Sequence, residues 1–186
     1  MRTRNHFIIL LLTLGIALYG VIVGYIEPKQ AEIRAEYLNN QQNPITHDFE
    51  SVLKYKNKYM GNSSNTSKLF RSLPLSNIEM FFRLYPEQLT AEVNYKGTVL
   101  EIGEDKVNLS LIYNATVSFV LIDNLEELIL NFDGKSYSAM RKDVEEWYGV
   151  ELMTLTDLNN WKEIVQNKLV DREYTTKCFN SIFTEG

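Results

Sequence analysis

The chain has 186 residues, of which 45% are hydrophobic, and a formal net charge of −5 at pH 7. Apart from Arg2 and Arg4, all charged residues follow position 26, so residues 27–186 carry 17 of the 19 basic and all 24 acidic side chains, a net charge of −7. An acidic surface of this kind excludes a nucleic-acid partner, because phosphate contact requires a basic face. The single cysteine, Cys178, excludes an internal disulfide and with it a disulfide-stabilised scaffold.

The first element is an uncharged apolar stretch at residues 7–26. A helix of this length spans roughly 30 Å, the thickness of the hydrocarbon core of a bilayer. A cleavable signal has a shorter apolar region followed by a small-x-small site, but Gly20 and Gly24 have Leu18 and Ile22 two positions before them. We therefore predict a retained transmembrane anchor, and the alternatives are a cleaved signal and a buried helix of a soluble protein.

Basic residues near the apolar stretch bear on its orientation. Arg2 and Arg4 precede it, whereas Lys29 and Arg34 follow it among three glutamates. Because basic residues stay on the cytoplasmic side, we expect a cell-membrane protein that crosses once, with its C-terminal domain outside. The predicted organisation is a short cytoplasmic head (1–6), an anchor in contact with membrane lipid (7–26), a stalk and linker (27–45) and an extracytoplasmic domain (46–186).

Small residues recur along the predicted anchor at Thr13, Ala17, Gly20 and Gly24. They fall on one side of a helix, and Gly20 and Gly24 form the G-x-x-x-G spacing that lets two membrane helices approach closely. This small-residue stripe is a candidate surface for self-association or for a membrane or envelope protein partner. The alternative is chance, since small residues are common in membrane helices.

After the anchor, residues 29–38 indicate a helical stalk, and the polar residues 39–44 indicate a linker. Residues 46–60 are predicted to form a helix capped by Thr46 or Asp48, and a shorter helix should end before Pro74. Residues 88–97 alternate apolar and polar, which is typical of a strand with one wet face. Asp133-Gly134 predicts a tight hairpin turn between two further strands.

Residues 105–123 are ambiguous, because all the odd positions from 107 to 121 are apolar. Sixteen residues in a strand would span roughly 53 Å, too long for this domain, whereas a helix of them would span about 24 Å. We predict a buried helix with Asn124 as its left-handed C-terminal residue. Two more helices, near 141–149 and 156–169, complete an α+β fold in which a small antiparallel sheet packs with helices.

Residues that carry catalysis are sparse in the predicted domain. His47 is its only histidine, and its place at a predicted helix start favours a solvated loop residue over a catalytic base. With Cys178 isolated, a soft metal site lacks ligands, and no nucleophile elbow, phosphate loop or zinc motif occurs. We therefore predict no catalytic, cofactor-binding or metal-binding residues.

Three blocks of sequence resemble a known family: "YKNKYMGNSSNTSKLFRSLP", "LTAEVNY" and "YNATVSFVLIDNLEELILNF". Within residues 48–170 they are similar to the bacterial extracytoplasmic domain of unknown function numbered forty-eight twenty-five. The resemblance implies a location in the cell envelope, next to signalling proteins, because related domains are also appended to BlaR-type sensor peptidases. That family has no assigned activity, so it implies no site residues.

These observations predict a membrane-anchored binding or regulatory module of the bacterial envelope without enzymatic activity. The alternative is an anchored envelope enzyme, a hydrolase, with an unrecognised carboxylate or serine site. A deep cleft with converging titratable groups would favour the enzyme, and an exposed surface patch would favour the binding module.

Overall fold

The computed structural model describes residues 2–186, with side chains from Arg4 onward, so Met1 of the predicted head lies outside the described residues. The chain divides into two compact units, one ending at Asn40 and the other spanning Gln41–Gly186. The second unit therefore begins before the predicted boundary at Thr46. Pro44 is buried in it and Ile45 packs against its core, so the end of the predicted linker contributes apolar contacts.

The first unit is one continuous helix in three parts. Helix α1 (Arg2–Val21) leads through a π-helical turn (Ile22–Ile26) into α2 (Glu27–Asn40), so residues 29–38 are helical as predicted. The π-helical turn lies just before Pro28, whose ring would clash with the carbonyl of Gly24 in a regular α-helix. From Arg4 to Asn40 the helix is long and apolar enough to cross a membrane, and none of its most apolar window is buried.

The second unit contains a sheet of five strands arranged in chain order: β1 (Met80–Tyr85), β2 (Thr90–Tyr95), β3 (Glu127–Phe132), β4 (Lys135–Met140) and β5 (Phe183–Glu185). The predicted hairpin is confirmed, and Gly134 turns it with a φ of 85°. The α+β class is also confirmed. The expectation of an antiparallel sheet is wrong in one place, because β2 and β3 are parallel and the sheet is mixed.

Parallel neighbouring strands need a long crossover connection, and the segment between β2 and β3 is long enough to provide one. Here the crossover consists of α4 (Val99–Ile102) and α5 (Glu104–Leu121), so the ambiguous segment is a buried helix as predicted. Gly103 separates the two helices with a φ of 101°. Asn124 is not the left-handed residue we predicted, because the chain extends at Ile122, and its Oδ1 accepts from the Met60 backbone N–H at 2.6 Å.

The other helices surround this centre: α3 (Ser63–Phe70), α6 (Arg141–Tyr148), α7 (Leu158–Asn160) and α8 (Arg172–Ile182). The predicted helix at 46–60 is only a 3₁₀ turn (Glu50–Tyr55). The predicted helix at 156–169 begins at the Asp157 cap and continues as a π-helical turn (Trp161–Val165) and a 3₁₀ turn (Gln166–Val170). Strands β1 and β5 and helix α8 had no counterpart in the sequence prediction.

The core lies between one face of the sheet and α5. Val93, Leu130 and Tyr137 are register neighbours on that inner face and are buried. On the far side of α5, the Trp161 ring is fully buried, stacks on Phe49 at 3.8 Å between centroids and meets the edge of the Tyr113 ring at 5.3 Å. Because side chains alternate between the two faces along each strand, the residues between the buried ones lie on the opposite face of the sheet, and most of them are polar.

Candidate functional site

The outer sheet face is the surface opposite the core, and it is the candidate site. Its side chains alternate with the buried ones and are mostly half-buried or exposed. On β1, Phe81 and Arg83 are exposed, and Arg83 lies opposite Glu92 in the register. The strands hold these side chains in fixed order, which suits a surface for recognition: Tyr85, Thr90, Glu92, Asn94, Glu127, Ile129, Asn131, Ser136, Ser138 and Met140 complete the face.

A hydrogen-bond network centred on Glu92 runs across the middle of this face. The hydroxyl of Tyr85 donates to Glu92 Oε2 at 2.6 Å, and Asn131 Nδ2 donates to Glu92 Oε1 at 3.1 Å. Asn131 Oδ1 in turn accepts from Ser136 Oγ at 2.6 Å. The network links strands β1 to β4, so it fixes the positions of these polar groups before any partner binds.

A second carboxylate, Glu127, is held in the same way. Its Oε1 accepts from Ser138 Oγ at 2.8 Å, and its Oε2 accepts from Thr90 Oγ1 at 3.1 Å. Asn94 lies on the same face two positions after Glu92, and its Oδ1 accepts from Asn131 Nδ2 at 3.0 Å. The outer sheet face therefore presents carboxylates whose positions are fixed by neighbouring hydroxyl and amide donors.

Charge effects on the face follow from these contacts. The hydrogen bond from Tyr85 is the main cause that lowers the pKa of Glu92, and partial desolvation opposes it. The same hydrogen bond raises the pKa of the Tyr85 hydroxyl, because ionisation would place two negative charges together. Glu92 therefore stays ionised at neutral pH and acts as a fixed acceptor.

Comparison with family models identifies the family to which part of this domain belongs. A model described as a domain of unknown function, DUF4825, matches residues 52–142. This stretch is a DUF4825 domain. The resemblance predicted from the three sequence blocks is confirmed. No curated protein and no solved structure matches the chain.

The DUF4825 match covers most of the candidate site, since strands β1 to β4 lie within it. His47, Trp161 and helix α8 lie outside the matched residues but belong to the same compact unit. The outer sheet face is thus built by the DUF4825 stretch, whereas its core is completed by flanking segments.

The structure corrects the prediction for His47. It is 2% exposed rather than solvated, with Nδ1 2.8 Å from the Tyr113 hydroxyl and Nε2 2.8 Å from the Ser72 carbonyl oxygen. Because a carbonyl can only accept, Nε2 carries the proton, and Nδ1 accepts from Tyr113. Both ring nitrogens are thereby used within the core.

Cys178 is buried, and burial raises the pKa of its thiol to about 12. Such a thiol stays protonated and unreactive at neutral pH. Among residues 2–186, no group of three or more histidine, cysteine or acidic side chains is placed to hold a metal ion.

Arg141 is a half-buried cation of the DUF4825 domain that sequence reasoning did not single out. Its Nε donates to the Leu125 carbonyl at 2.7 Å and one terminal nitrogen to the Ile122 carbonyl at 2.6 Å. Glu126 and Glu145 lie 3.8 Å away on either side. These contacts satisfy carbonyls in the turn between α5 and β3, so its role is structural.

The small-residue stripe lies in the other unit. Thr13, Ala17 and Gly20 are in α1, whereas Gly24 is within the π-helical turn. A β-carbon added at Gly20 or Gly24 would meet nothing within 4 Å, so both positions are open. Thr13 donates its hydroxyl to the Leu10 carbonyl at 2.9 Å and needs no outside partner.

Proposed function

We propose that this chain is a single-pass membrane-anchored module of the bacterial cell envelope, whose extracytoplasmic domain binds a partner through the outer sheet face. In this proposal the module binds and regulates a partner, and its domain catalyses no reaction. The observation that carries the proposal is the N-terminal helix, whose large apolar side chains are exposed around its circumference, with Ile16 at 72% and Leu12 at 61%.

The anchor part of the proposal follows from the hydrophobic effect. An exposed apolar helix of this length is unfavourable in water and favourable in lipid, where its backbone hydrogen bonds are already made. The basic residues Arg2 and Arg4 at its start support a cytoplasmic amino terminus. The domain after Asn40 then lies outside the cell.

The binding part rests on the arrangement of the outer sheet face. Its carboxylates and amides are ordered by neighbouring side chains, so a partner meets them with little loss of conformational entropy. Phe81, which is 47% exposed, adds an apolar contact at one edge. Ordered polar groups beside an exposed aromatic ring are typical of protein recognition surfaces.

Thiol labelling tests the anchor and its orientation. Cys178 is buried with a raised pKa, so the native thiol contributes little background. We expect Glu163→Cys, at an exposed site, to react with a membrane-impermeant maleimide in intact cells, and Asn5→Cys, which keeps both arginines, to react only after lysis. Labelling in the reverse order would overturn the orientation, and recovery of the protein in the soluble fraction would overturn the anchor.

Affinity capture from detergent-solubilised membranes, followed by mass spectrometry, tests the binding surface. A protein captured by the wild type should be lost with Ile129→Glu, which places a third carboxylate on the outer sheet face. The matched control Glu163→Lys changes an exposed site elsewhere and should retain that protein. Equal capture by both variants would exclude the outer sheet face as the binding surface.

A further inference from the structure

The segment that follows the anchor helix, residues 41–50, is held to the domain by side chains rather than by a strand. Gln166 Nε2 donates to the Pro44 carbonyl at 3.1 Å and to the His47 carbonyl at 2.8 Å. Gln42 Nε2 donates to Ser76 Oγ at 2.8 Å. The imidazole of His47 bonds both α5 and the turn after α3, and the Phe49 ring, two positions later, stacks on Trp161 at 3.8 Å.

The chemistry of this attachment depends on a neutral imidazole. In the neutral form, Nε2–H donates to the Ser72 carbonyl and Nδ1 accepts from the Tyr113 hydroxyl. A proton on Nδ1 would force the Tyr113 hydroxyl to turn and accept instead. Tyr113 is fully buried, so its own proton would then lack an acceptor, and a cation would lie in the dry core.

We propose that His47 is a pH-sensitive latch: protonation in acid releases residues 41–48 from the domain, as far as Phe49, while the sheet stays folded. The release is local because the side chain of His47 bonds Ser72 and Tyr113, and neither residue lies on a strand of the sheet. A cavity of about 330 Å³ beside His47, lined also by Trp161 and Gln166, leaves space for the segment to move and for water to enter.

The charges that face His47 do not supply a buried counterion. Asp48 and Glu50 on its own segment and Lys162 across the cavity are all exposed to solvent, which weakens their interaction with the imidazole. On the other elements packed against His47, its neighbours are Ser72 after α3 and Tyr113 on α5. Behind Ser72 lies Tyr55, whose hydroxyl accepts a hydrogen bond from Ser72 Oγ. Arg71, also exposed, precedes Ser72 in the chain.

The direction of the pH effect follows from proton binding. Burial lowers the pKa of His47 from its ordinary 6.5, although the Ser72 hydrogen bond and the Asp48 charge oppose the shift. The released segment binds a proton more readily than the closed one, so closure is fully stable above about pH 6.5 and weakens as the pH falls. Closure should lose about tenfold in its equilibrium constant per pH unit until the folded pKa is reached.

Hydrogen exchange of the full chain in detergent micelles, followed by mass spectrometry and corrected for intrinsic rates, tests the latch. Between about pH 7.5 and pH 5, protection of the peptide covering residues 41–48 should fall, whereas protection of β2 and β3 should not. Parallel loss of protection in the sheet would overturn a local latch. Constant protection of the segment over this range would overturn pH sensitivity.

Three variants assign the effect to the imidazole. His47→Gln removes the titrating group and keeps an amide donor for the Ser72 carbonyl, so the pH dependence should vanish. The matched control His6→Gln, at the only other histidine, should behave as the wild type. Tyr113→Phe removes the donor to Nδ1 and should move the transition to higher pH. An unmoved transition, or a pH dependence that survives His47→Gln, would overturn the proposal.

Discussion

Helices α1 and α5 are both apolar, but their surroundings are opposite. The most apolar window of α1 and its continuation is 0% buried, whereas 13 of the 18 residues of α5 are buried. In both helices a threonine hydroxyl donates a hydrogen bond to a carbonyl of its own helix, at 2.9 Å for Thr13 and at 2.8 Å for Thr116. Apolar content and internal hydrogen bonding therefore do not separate a membrane helix from a core helix.

The difference lies in what the rest of the chain provides. Around α5, the inner sheet face and the aromatic rings of Phe49 and Trp161 supply apolar partners, and Asn114 finds the Pro74 carbonyl at 2.8 Å. The described residues of the first unit have no buried side chain, and the helix from Arg4 to Asn40 is long and apolar enough to cross a membrane. Variants that alter one helix and spare the other test this contrast.

The largest effect is expected on the α5 side. Trp161→Ala should lower the free energy of unfolding of the domain by about 3–5 kcal/mol, because it empties a fully buried aromatic site against Tyr113. Chemical denaturation of the full chain, followed by circular dichroism, measures the loss. A loss below about 1 kcal/mol would place Trp161 at the surface.

The next effect concerns α1 alone. Ile16→Arg places a charge near the middle of the apolar stretch and should disfavour membrane insertion by about 2.5–3.5 kcal/mol. Alkaline extraction of membranes should then release more protein. The matched control Ile33→Arg alters an equally apolar, exposed residue of α2 beyond that stretch and should leave the anchor intact. Equal release of both variants would contradict a membrane role for α1.

A smaller effect is expected for a polar residue inside α5. Asn114→Ala leaves the buried Pro74 carbonyl without its donor and should cost about 1–3 kcal/mol of domain stability. The same substitution at Asn108, which is half-buried on α5 and has an unpartnered amide oxygen, should cost less. Thermal unfolding of both variants compares them, and equal costs would show that the Pro74 hydrogen bond contributes nothing.

The smallest structural change concerns the small-residue stripe. Gly20→Ile combined with Gly24→Ile should abolish association of the anchor in a membrane two-hybrid assay, because bulk at these positions prevents close approach of helices. Leu18→Ile should leave association intact. Equal signals would leave α1 as an anchor without a partner.

Sequence patterns could predict those elements whose structure depends on residues close together in the chain. Chain length excluded a strand for α5, and Asp133-Gly134 fixed the hairpin. The missed elements lack such signals: β1 has consecutive aromatic residues at Phe81 and Phe82 instead of alternation, and α8 contains Thr175 and Thr176, which are weak helix formers.

The environment of the site residues could not be predicted because their partners are distant in sequence. His47 bonds Ser72 and Tyr113, 25 and 66 positions away, so nothing near it in the chain indicates burial. The parallel pairing of β2 with β3 is equally non-local. The network around Glu92 depends on that pairing, since Asn131 reaches Glu92 across it.

The mixed sheet also sets the order in which the domain can fold. The hairpins β1–β2 and β3–β4 join strands that are neighbours in sequence and can form early. Thr90 and Glu127, which pair across the parallel contact, are 37 positions apart, and closing that loop costs chain entropy before the contact is made. Docking of the two hairpins over α5 is therefore the slow step, and until it occurs both present open edges to other chains.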